Sequence, residues 1–451
     1  MVLLLLAAAA LLLQPCPLRA GEAELFPSYP VIRDNVRFWE DVYSRYTTRQ
    51  GILHDQYDLS IVYGVIDLVD WQSPGSAKVN RRLIKLARRH YKQILADLAA
   101  GKKPLSAEEK RIAALFPDKS HRAYREARDN IRLQIGQKDR FLEGYIRSGA
   151  YMNAIEKIFS AYGLPRELAY LPHVESSFNP DAHSKAGAAG LWQFTRSTGK
   201  RYMRIDHIVD MRYDPYYSTR AAALLLKENF EALGSWPLAI TAYNHGRNGM
   251  LRALKKYGSY ERIFSNHETK LFRFASRNFY SEFLAALRVA HRLEKDPSIT
   301  PDRPEATIMV RMEGFAAAED VMAHFQVSPE DLARLNPALR RPVLKGEKLI
   351  PRDFYLRLPA TDRIRALAST IPEEIYRSSQ IRDHEYIVRR GDTAGGIARR
   401  YGIRVSELIA ANNLNKRAMI RVGQKLKIPG RADAGEQRVV ILKPVSKNRP
   451  D

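Results

Sequence analysis

Apolar positions along the chain recur mostly at helical spacing. Over residues 21–149, Leu83, Ile84, Leu86, Tyr91, Ile94, Leu95 and Leu98 return every three or four positions among arginines and lysines, which predicts a helical N-terminal region. The helical pattern continues over 150–295, where Leu164, Leu168, Leu171 and Val174 describe an apolar face. The connecting segments change character there. Ser176-Ser177-Phe178-Asn179-Pro180, Ser184 to Gly190 and Asn244-His245-Gly246 are the Gly, Asn and Pro turns with which a compact all-α domain shapes a cleft. After Asp296-Pro297 a weak repeat emerges. Val327-Ser328-Pro329-Glu330-Asp331-Leu332, Asn336 and Gly346 to Pro351 align with Val405-Ser406-Glu407-Leu408, Asn412 and Gly423 to Pro429. The second copy opens on a β-branched strand, Tyr386-Ile387-Val388, and Asp392 or Thr393 caps the helix begun by Ile397, Ala398 and Tyr401, giving a βααβ unit over 384–430. The degenerate first copy occupies 305–360, and a polar tail follows over 431–451. The predicted fold class is therefore mainly α with small βααβ modules at the C-terminal end.

Composition narrows the setting. The chain has 451 residues, enough for two to four domains, and 73 Lys+Arg less 50 Asp+Glu gives a net charge of +23. With 45% hydrophobic residues, wholesale disorder and collagen-like architecture are excluded. The charge favours polyanionic surroundings, whether nucleic acid, anionic lipid or an acidic wall, but selects none of them. The uncharged run Val2 to Leu13 fits a secretory h-region better than a bilayer span, so residues 1–20 read as a signal peptide with Leu18-Arg19-Ala20 as an imperfect cleavage site. No basic residue precedes the run, which leaves a mis-assigned start or a short anchor as alternatives. Lipidation at Cys16, the one cysteine, ranks lower because Gln14-Pro15 lacks the small residues such processing prefers. The mature protein is expected to be soluble or peripheral to a membrane, and monomeric.

Chemistry concentrates at Glu175, where an apolar helix meets a polar turn. Partial desolvation raises a carboxyl pKa, as donation of a proton to a glycosidic oxygen requires; an exposed helix-end carboxylate is the commoner fate of a glutamate. His173, His183 and His245 lack metal-ligand spacing, and no phosphate-cradling loop is present, so neither a metal nor a cofactor is implied.

The ordered set His173-Val174-Glu175-Ser176-Ser177-Phe178-Asn179-Pro180, Ser184, Gly187-Ala188-Ala189-Gly190-Leu191-Trp192-Gln193-Phe194 and Ala242-Tyr243-Asn244-His245-Gly246 resembles the soluble-lytic-transglycosylase (goose-lysozyme-like) family, of the membrane-bound lytic transglycosylase D type. The resemblance implies a lysozyme-like catalytic domain over 150–295. Such enzymes cleave the β-1,4 bond between N-acetylmuramic acid and N-acetylglucosamine and leave a 1,6-anhydro sugar. It makes Glu175 the catalytic acid and base. Ser184, Gln193, Tyr243, Asn244 and Tyr280 become substrate-binding candidates, with Trp192 as a sugar-stacking platform. Gly187 and Gly190 are expected to allow tight backbone geometry. Where the family has a downstream glutamate, Ser276 stands, followed by Arg277-Asn278-Phe279-Tyr280, so Glu175 is left as the lone acid.

The second C-terminal repeat resembles a LysM module, which implies recognition of N-acetylated glycan between Gly391, Asp392 and Thr393 on one side and Asn412, Asn413 and Leu414 on the other. Read without the resemblance, these are turn and cap positions. Residues 381–430 carry eleven Lys/Arg against four Asp/Glu, a net +7 suited to an acidic wall. The expected partner is the glycan strand of peptidoglycan and the expected place the periplasm or cell envelope. The rival readings are a muramidase or chitinase-type hydrolase using an acid such as Asp181, and an inactive LysM wall-binding scaffold. A nucleic-acid binder ranks last, because no DNA- or RNA-reading motif is present.

Overall fold

The computed structural model describes residues 25–118, 120–415 and 417–430. The expected signal peptide with Cys16 and the expected tail beyond Gly430 lie outside the described residues. The chain divides into two compact units, Met1–Phe141 with Leu225–Asp296, and Leu142–Leu224 with Pro297–Asp451.

In the first unit, the amphipathic helix Arg33–Ser44 packs along the long helix Phe274–Leu293. Asn35 donates to the Asn278 side chain at 2.7 Å, and Glu40 is gripped by Arg288 and Arg292 at 3.0 and 2.9 Å. The helical reading of 21–149 needs correction, because three strands stand within it: β1 (Gln50–Asp55), β2 (Val62–Asp67) and β3 (Ile131–Ile135), in the antiparallel order β2-β1-β3. β1 is the central strand and is buried almost throughout, so it shows no period-2 alternation. The helix Ser76–Ala99 covers this sheet with Tyr91, Ile94, Leu95 and Leu98 around Leu53 and Tyr63, while Leu86 points outward. Gly64 of β2 makes that approach feasible, since a Cβ there would lie 2.0 Å from the Tyr91 hydroxyl.

In the second unit the helix Met152–Ala161 leads through a 3₁₀ turn, Arg166–Tyr170, into the short helix Leu171–Ser176. The first repeat has β4 (Thr307–Arg311), helices Ala318–Phe325 and Pro329–Leu335, then β5 (Phe315–Ala316) lying between β4 and those helices in sequence, and β6 (Tyr355–Pro359) paired antiparallel to β4. Its core extends past residue 360: Ile364 is buried in it, and β7 (Tyr376–Arg377) pairs with β5. The second repeat pairs β8 (His384–Ile387) with β9 (Lys425–Ile428) around helices Ala394–Arg400 and Val405–Asn412.

One asparagine performs the same task in each repeat. Asn336 donates to the Leu332 and Arg357 carbonyls at 3.0 and 2.9 Å and accepts from the Arg357 N–H at 2.7 Å. Asn412 donates to the Leu408 and Lys427 carbonyls at 2.9 and 2.7 Å and accepts from the Lys427 N–H at 2.7 Å. Each side chain closes the end of the second helix and continues the final strand as a surrogate backbone partner. Asn336→Ala strands buried groups of Arg357 and is expected to cost about 2–4 kcal/mol, read as a lowered urea midpoint with near-native circular dichroism in the absence of denaturant. An unchanged midpoint would contradict this role.

Candidate active site

Glu175 sits half-buried in the last turn of the helix Leu171–Ser176. Leu164, Leu168 and Leu171 beneath it are buried, as their spacing predicts. The helix ends abruptly because Ser177 and Phe178 take left-handed conformations, with φ of 50° and 52°. Three contacts hold that strained exit: Arg147 donates to the Ser177 carbonyl at 2.8 Å, the Ser176 hydroxyl donates to the Leu191 carbonyl at 2.7 Å, and Phe178 is wholly buried. His173 is buried among Tyr145, Tyr170 and Phe178. It is a packing residue of the Glu175 helix.

The Ser176 bond ties this helix to the loop 182–194, which is folded by its own backbone. Short bridges pair His183 with Ala189 and Ala189 with Phe194, and the Gly190 N–H donates to the Ala182 carbonyl at 2.9 Å. Ser184 Oγ accepts from the Ala188 N–H at 3.0 Å, so the serine serves the turn with its acceptor face. The Gln193 amide donates to the Ala182 and Gly190 carbonyls at 3.1 and 2.9 Å from a left-handed backbone, φ 47°. Gly187 has a positive φ with open space around it. Gly190 has a positive φ, and a Cβ there would stand 1.8 Å from the Arg212 carbonyl oxygen.

The pair that organises this loop was not picked out from the sequence. Arg212 and Asp210 are both buried, and the guanidinium grips the carboxylate through Nε and Nη2 at 2.9 and 2.8 Å. Its Nη1 donates to the Gly187 and Phe194 carbonyls at 2.9 and 3.1 Å. A single arginine thus closes both ends of the glycine-rich turn. The signal that could have found it is weak: an Asp-x-Arg in a loop looks like any solvated pair.

Two expectations are corrected by burial. Trp192 is wholly inside, packed on Phe159, and its indole N–H donates to the Thr219 hydroxyl at 2.8 Å; with no exposed face it is a core residue and not a stacking platform. Tyr280 is also buried, donating to the Pro27 carbonyl at 3.0 Å, so its hydroxyl is already committed. Asn412 is spent on β9 in the same way.

Tyr243 and Asn244 end the helix Trp236–His245 in the first unit, whereas Glu175, Ser184 and Gln193 belong to the second. Tyr243 is half-buried, and Asn244 is exposed with its amide oxygen accepting from the Ser276 hydroxyl at 2.8 Å. In the second repeat, Gly391 takes φ 87°, Thr393 caps the helix Ala394–Arg400 by accepting from the Gly396 N–H, Asn413 is the left-handed helix terminator, and Leu414 packs against the module core. Asp392 accepts from the Arg389 N–H and the Tyr386 hydroxyl, both at 2.7 Å; these bonds hold its carboxyl below the usual range. Among the described residues there is no cluster of His, Cys, Asp and Glu that could hold a metal, and no helix long and apolar enough to cross a membrane.

Two outcomes follow from this scaffold. Gly190→Ala is expected to displace the loop and reduce any activity of the site by at least about 10²-fold, since misplacement of that order costs this much; full activity would show that the loop tolerates a Cβ. Burial, with Arg147 nearby, holds the His173 imidazole down to about 3, and burial holds His54 down to about 4. Both stay neutral in the fold but take up a proton near pH 6.5 when unfolded. Stability is therefore fully present above pH about 6.5 and declines as pH falls towards 3, by up to about 1.4 kcal/mol per pH unit for each group. Urea midpoints measured from pH 7 to 4 check this, and a flat profile would refute it.

The comparisons with known proteins match the stretch of chain that carries this site. The family description "Transglycosylase SLT domain" matches residues 153–265 and "LysM domain" matches residues 386–429. Membrane-bound lytic murein transglycosylase D of Escherichia coli is 26% identical over 331 residues, covering 66% of this chain and 71% of that protein. The transglycosylase of Enterobacteria phage PRD1 is 37% identical over 84 residues, 19% of this chain and 30% of the phage protein. Two solved structures are also similar: an inactive mutant of the lytic transglycosylase Slt from Pseudomonas aeruginosa (17% identity, TM-score 0.28, 50% of this chain and 35% of that one) and the 70 kDa soluble lytic transglycosylase of Escherichia coli (15%, 0.29, 51% and 38%). This chain spans little more than a third of either. It carries a transglycosylase SLT domain followed by a C-terminal LysM domain, and is homologous to membrane-bound lytic murein transglycosylase D of Escherichia coli.

Proposed function

We propose that the protein is an exported peptidoglycan lytic transglycosylase, in which Glu175 is both acid and base. Its protonated carboxyl gives a proton to the leaving glycosidic oxygen. The resulting carboxylate then takes the proton from the muramoyl C6 hydroxyl as that oxygen attacks C1, closing the 1,6-anhydro ring. The substrate's own acetamido group stabilises the oxocarbenium-like intermediate, so no second protein carboxylate is required. The observation that carries this reading is the mounting of Glu175: a half-buried acid on a helix end anchored by Arg147, Ser176 and Phe178, tied directly to the loop 182–194. Such anchoring holds a carboxyl to one geometry, which proton transfer in both directions demands.

Ser184 and Gln193 support this role from that loop, the first with a hydroxyl hydrogen left after its turn contact, the second with an amide whose two backbone bonds use only its hydrogens. Tyr243 and Asn244 are proposed to hold the acetamido group. Gly391, Asp392, Thr393, Asn413 and Leu414 shape the glycan groove of the LysM module. Tethering to an insoluble wall raises the local concentration of glycan at the site. The proposed place of action is the periplasm or cell envelope, peripheral to the outer membrane, as a monomer and without a nucleic-acid partner.

Mass spectrometry of muropeptides released from purified sacculi tests the reaction. Wild type is expected to release products one water lighter than those of hydrolysis, and Glu175→Gln to lower their rate by about 10²–10⁴-fold. Hydrated products from the wild type, or an unimpaired variant, would reject the assignment.

A further inference from the structure

Within the second unit lies a cavity of about 440 Å³, inside the roughly 300–1,000 Å³ span of small-molecule sites. Three parts of the chain wall it: the segment from His183 to Tyr213, the first repeat at Arg340–Pro342, and the second repeat at Ser406–Leu414. It therefore joins the loop beside Glu175 to Asn413 and Leu414 of the LysM module.

Its charges do not cancel. Asp210 is taken by Arg212, Glu407 by Arg404, and Asp206 by Arg204 and the N–H groups of Ile208 and Val209. Three guanidiniums remain. Arg340 lies over the Tyr213 ring at 4.8 Å, and neither it nor Arg341 has an ion-pair partner among the described residues. Arg196 reaches Asp210 only at 3.9 Å, and its Nε–H is buried with no acceptor among the described residues. Against these three cations the lining offers one further carboxylate, Glu347. Two unpaired guanidiniums, Arg340 and Arg341, on the wall of the cavity, beside a third held only loosely, form the arrangement that receives a carboxylate in a bidentate grip.

The walls are also fixed in place. Lys348 is buried and donates to the Ile381 carbonyl and the Asp383 carboxylate at 2.6 and 2.5 Å, and His207 approaches the same carboxylate at 3.6 Å. The three contacts pin the entrance of the second repeat to the first repeat and to the loop before Asp210. A preformed cationic cavity loses little free energy in ordering itself round a ligand.

We infer that this cavity binds a free carboxylate of the peptide stem borne by peptidoglycan, so that the LysM module and the first repeat complete a peptide subsite beside the SLT loop. This rests on the proposed function and names the part of the substrate that the glycan reading leaves unassigned. The first repeat then has a task even without a Gly-Asp-Thr start of its own.

The test uses the full chain and two soluble probes, a muropeptide with its intact peptide stem and the same glycan stripped of peptide by an amidase. Calorimetry is expected to show the stem-bearing probe binding at least about tenfold more tightly to wild type, and Arg340→Ala/Arg341→Ala to abolish that preference while leaving affinity for the stripped glycan unchanged. Both positions are at the cavity surface, and Arg340→Lys/Arg341→Lys, which keeps charge but loses the planar fork, is expected to restore the preference only in part. Equal affinity of wild type for the two probes, or a preference that survives the alanine pair, would overturn the subsite. Loss of anhydro products from stripped and intact glycan alike would instead count against the reaction itself.

Discussion

The buried Arg212–Asp210 pair is the constraint on which the second unit depends. A guanidinium and a carboxylate taken out of water together gain little net stability, yet removing either one costs about 3–5 kcal/mol by leaving the other uncompensated. Here the remaining guanidinium N–H groups are spent on the Gly187 and Phe194 carbonyls, so the pair closes the polar, glycine-rich part of a loop whose Leu191, Trp192 and Phe194 are anchored in the core. Asp210 is held from the other side as well, because its N–H donates to the Ala338 carbonyl at 2.8 Å and the neighbouring Val209 bridges to Leu339. The same few atoms therefore determine the shape of the 182–194 loop and the seat of the first repeat.

That seat explains why a degenerate repeat persists as structure. Ile208 and Val209 belong to the same hydrophobic core as Val321, Leu332 and Leu356, and Arg357 completes it by pairing with Asp214 at 3.1 Å while lying over the Tyr216 ring at 4.2 Å. The second repeat has a small core of its own, around Ile397, Leu408 and Leu426, apart from that cluster. Lys348 and Asp383 clamp it to the first repeat. Two copies of one βααβ plan, each closed by an asparagine, are thus joined to the rest of the unit in different ways: the first shares a core with Ile208 and Val209, and the second is clamped through Lys348 and Asp383.

Much of this was legible beforehand. The placing of Glu175 at a helix end could be read because an apolar helix face ending in Ser-Ser-Phe-Asn-Pro is a local pattern, and Asn336 and Asn412 could be aligned because the repeat keeps them in register. What stayed hidden is non-local. β1 shows no alternation because both of its faces are covered, although Ile131-Arg132-Leu133-Gln134-Ile135 does alternate and carried a readable strand signal for β3. Trp192 looked like a sugar platform because it lies within a motif loop, but its partner Thr219 is 27 residues away and invisible to local reading. Arg212 was missed for the same reason: nothing in a short window distinguishes an arginine that will be buried from one that will be solvated.

For the proposed reaction, the distribution of polar bonds bears on how a lone acid would serve in both directions of proton transfer. Most polar groups surrounding Glu175 in sequence are already committed: Ser176 to Leu191, the Ser177 carbonyl to Arg147, the Gln193 amide hydrogens to Ala182 and Gly190. A loop whose donors are satisfied internally does not need to reorganise when charge appears on the carboxyl and disappears again, and preorganisation of this kind is where much of an enzyme's electrostatic advantage lies. The positive φ values at Ser177, Phe178 and Gln193 are the conformational cost of that arrangement, and burial of Phe178 and Trp192 offsets it. On the proposed function, the aromatic residues of the motif would act on the chemistry from inside the core, by holding the backbone that carries Glu175, without contact with sugar.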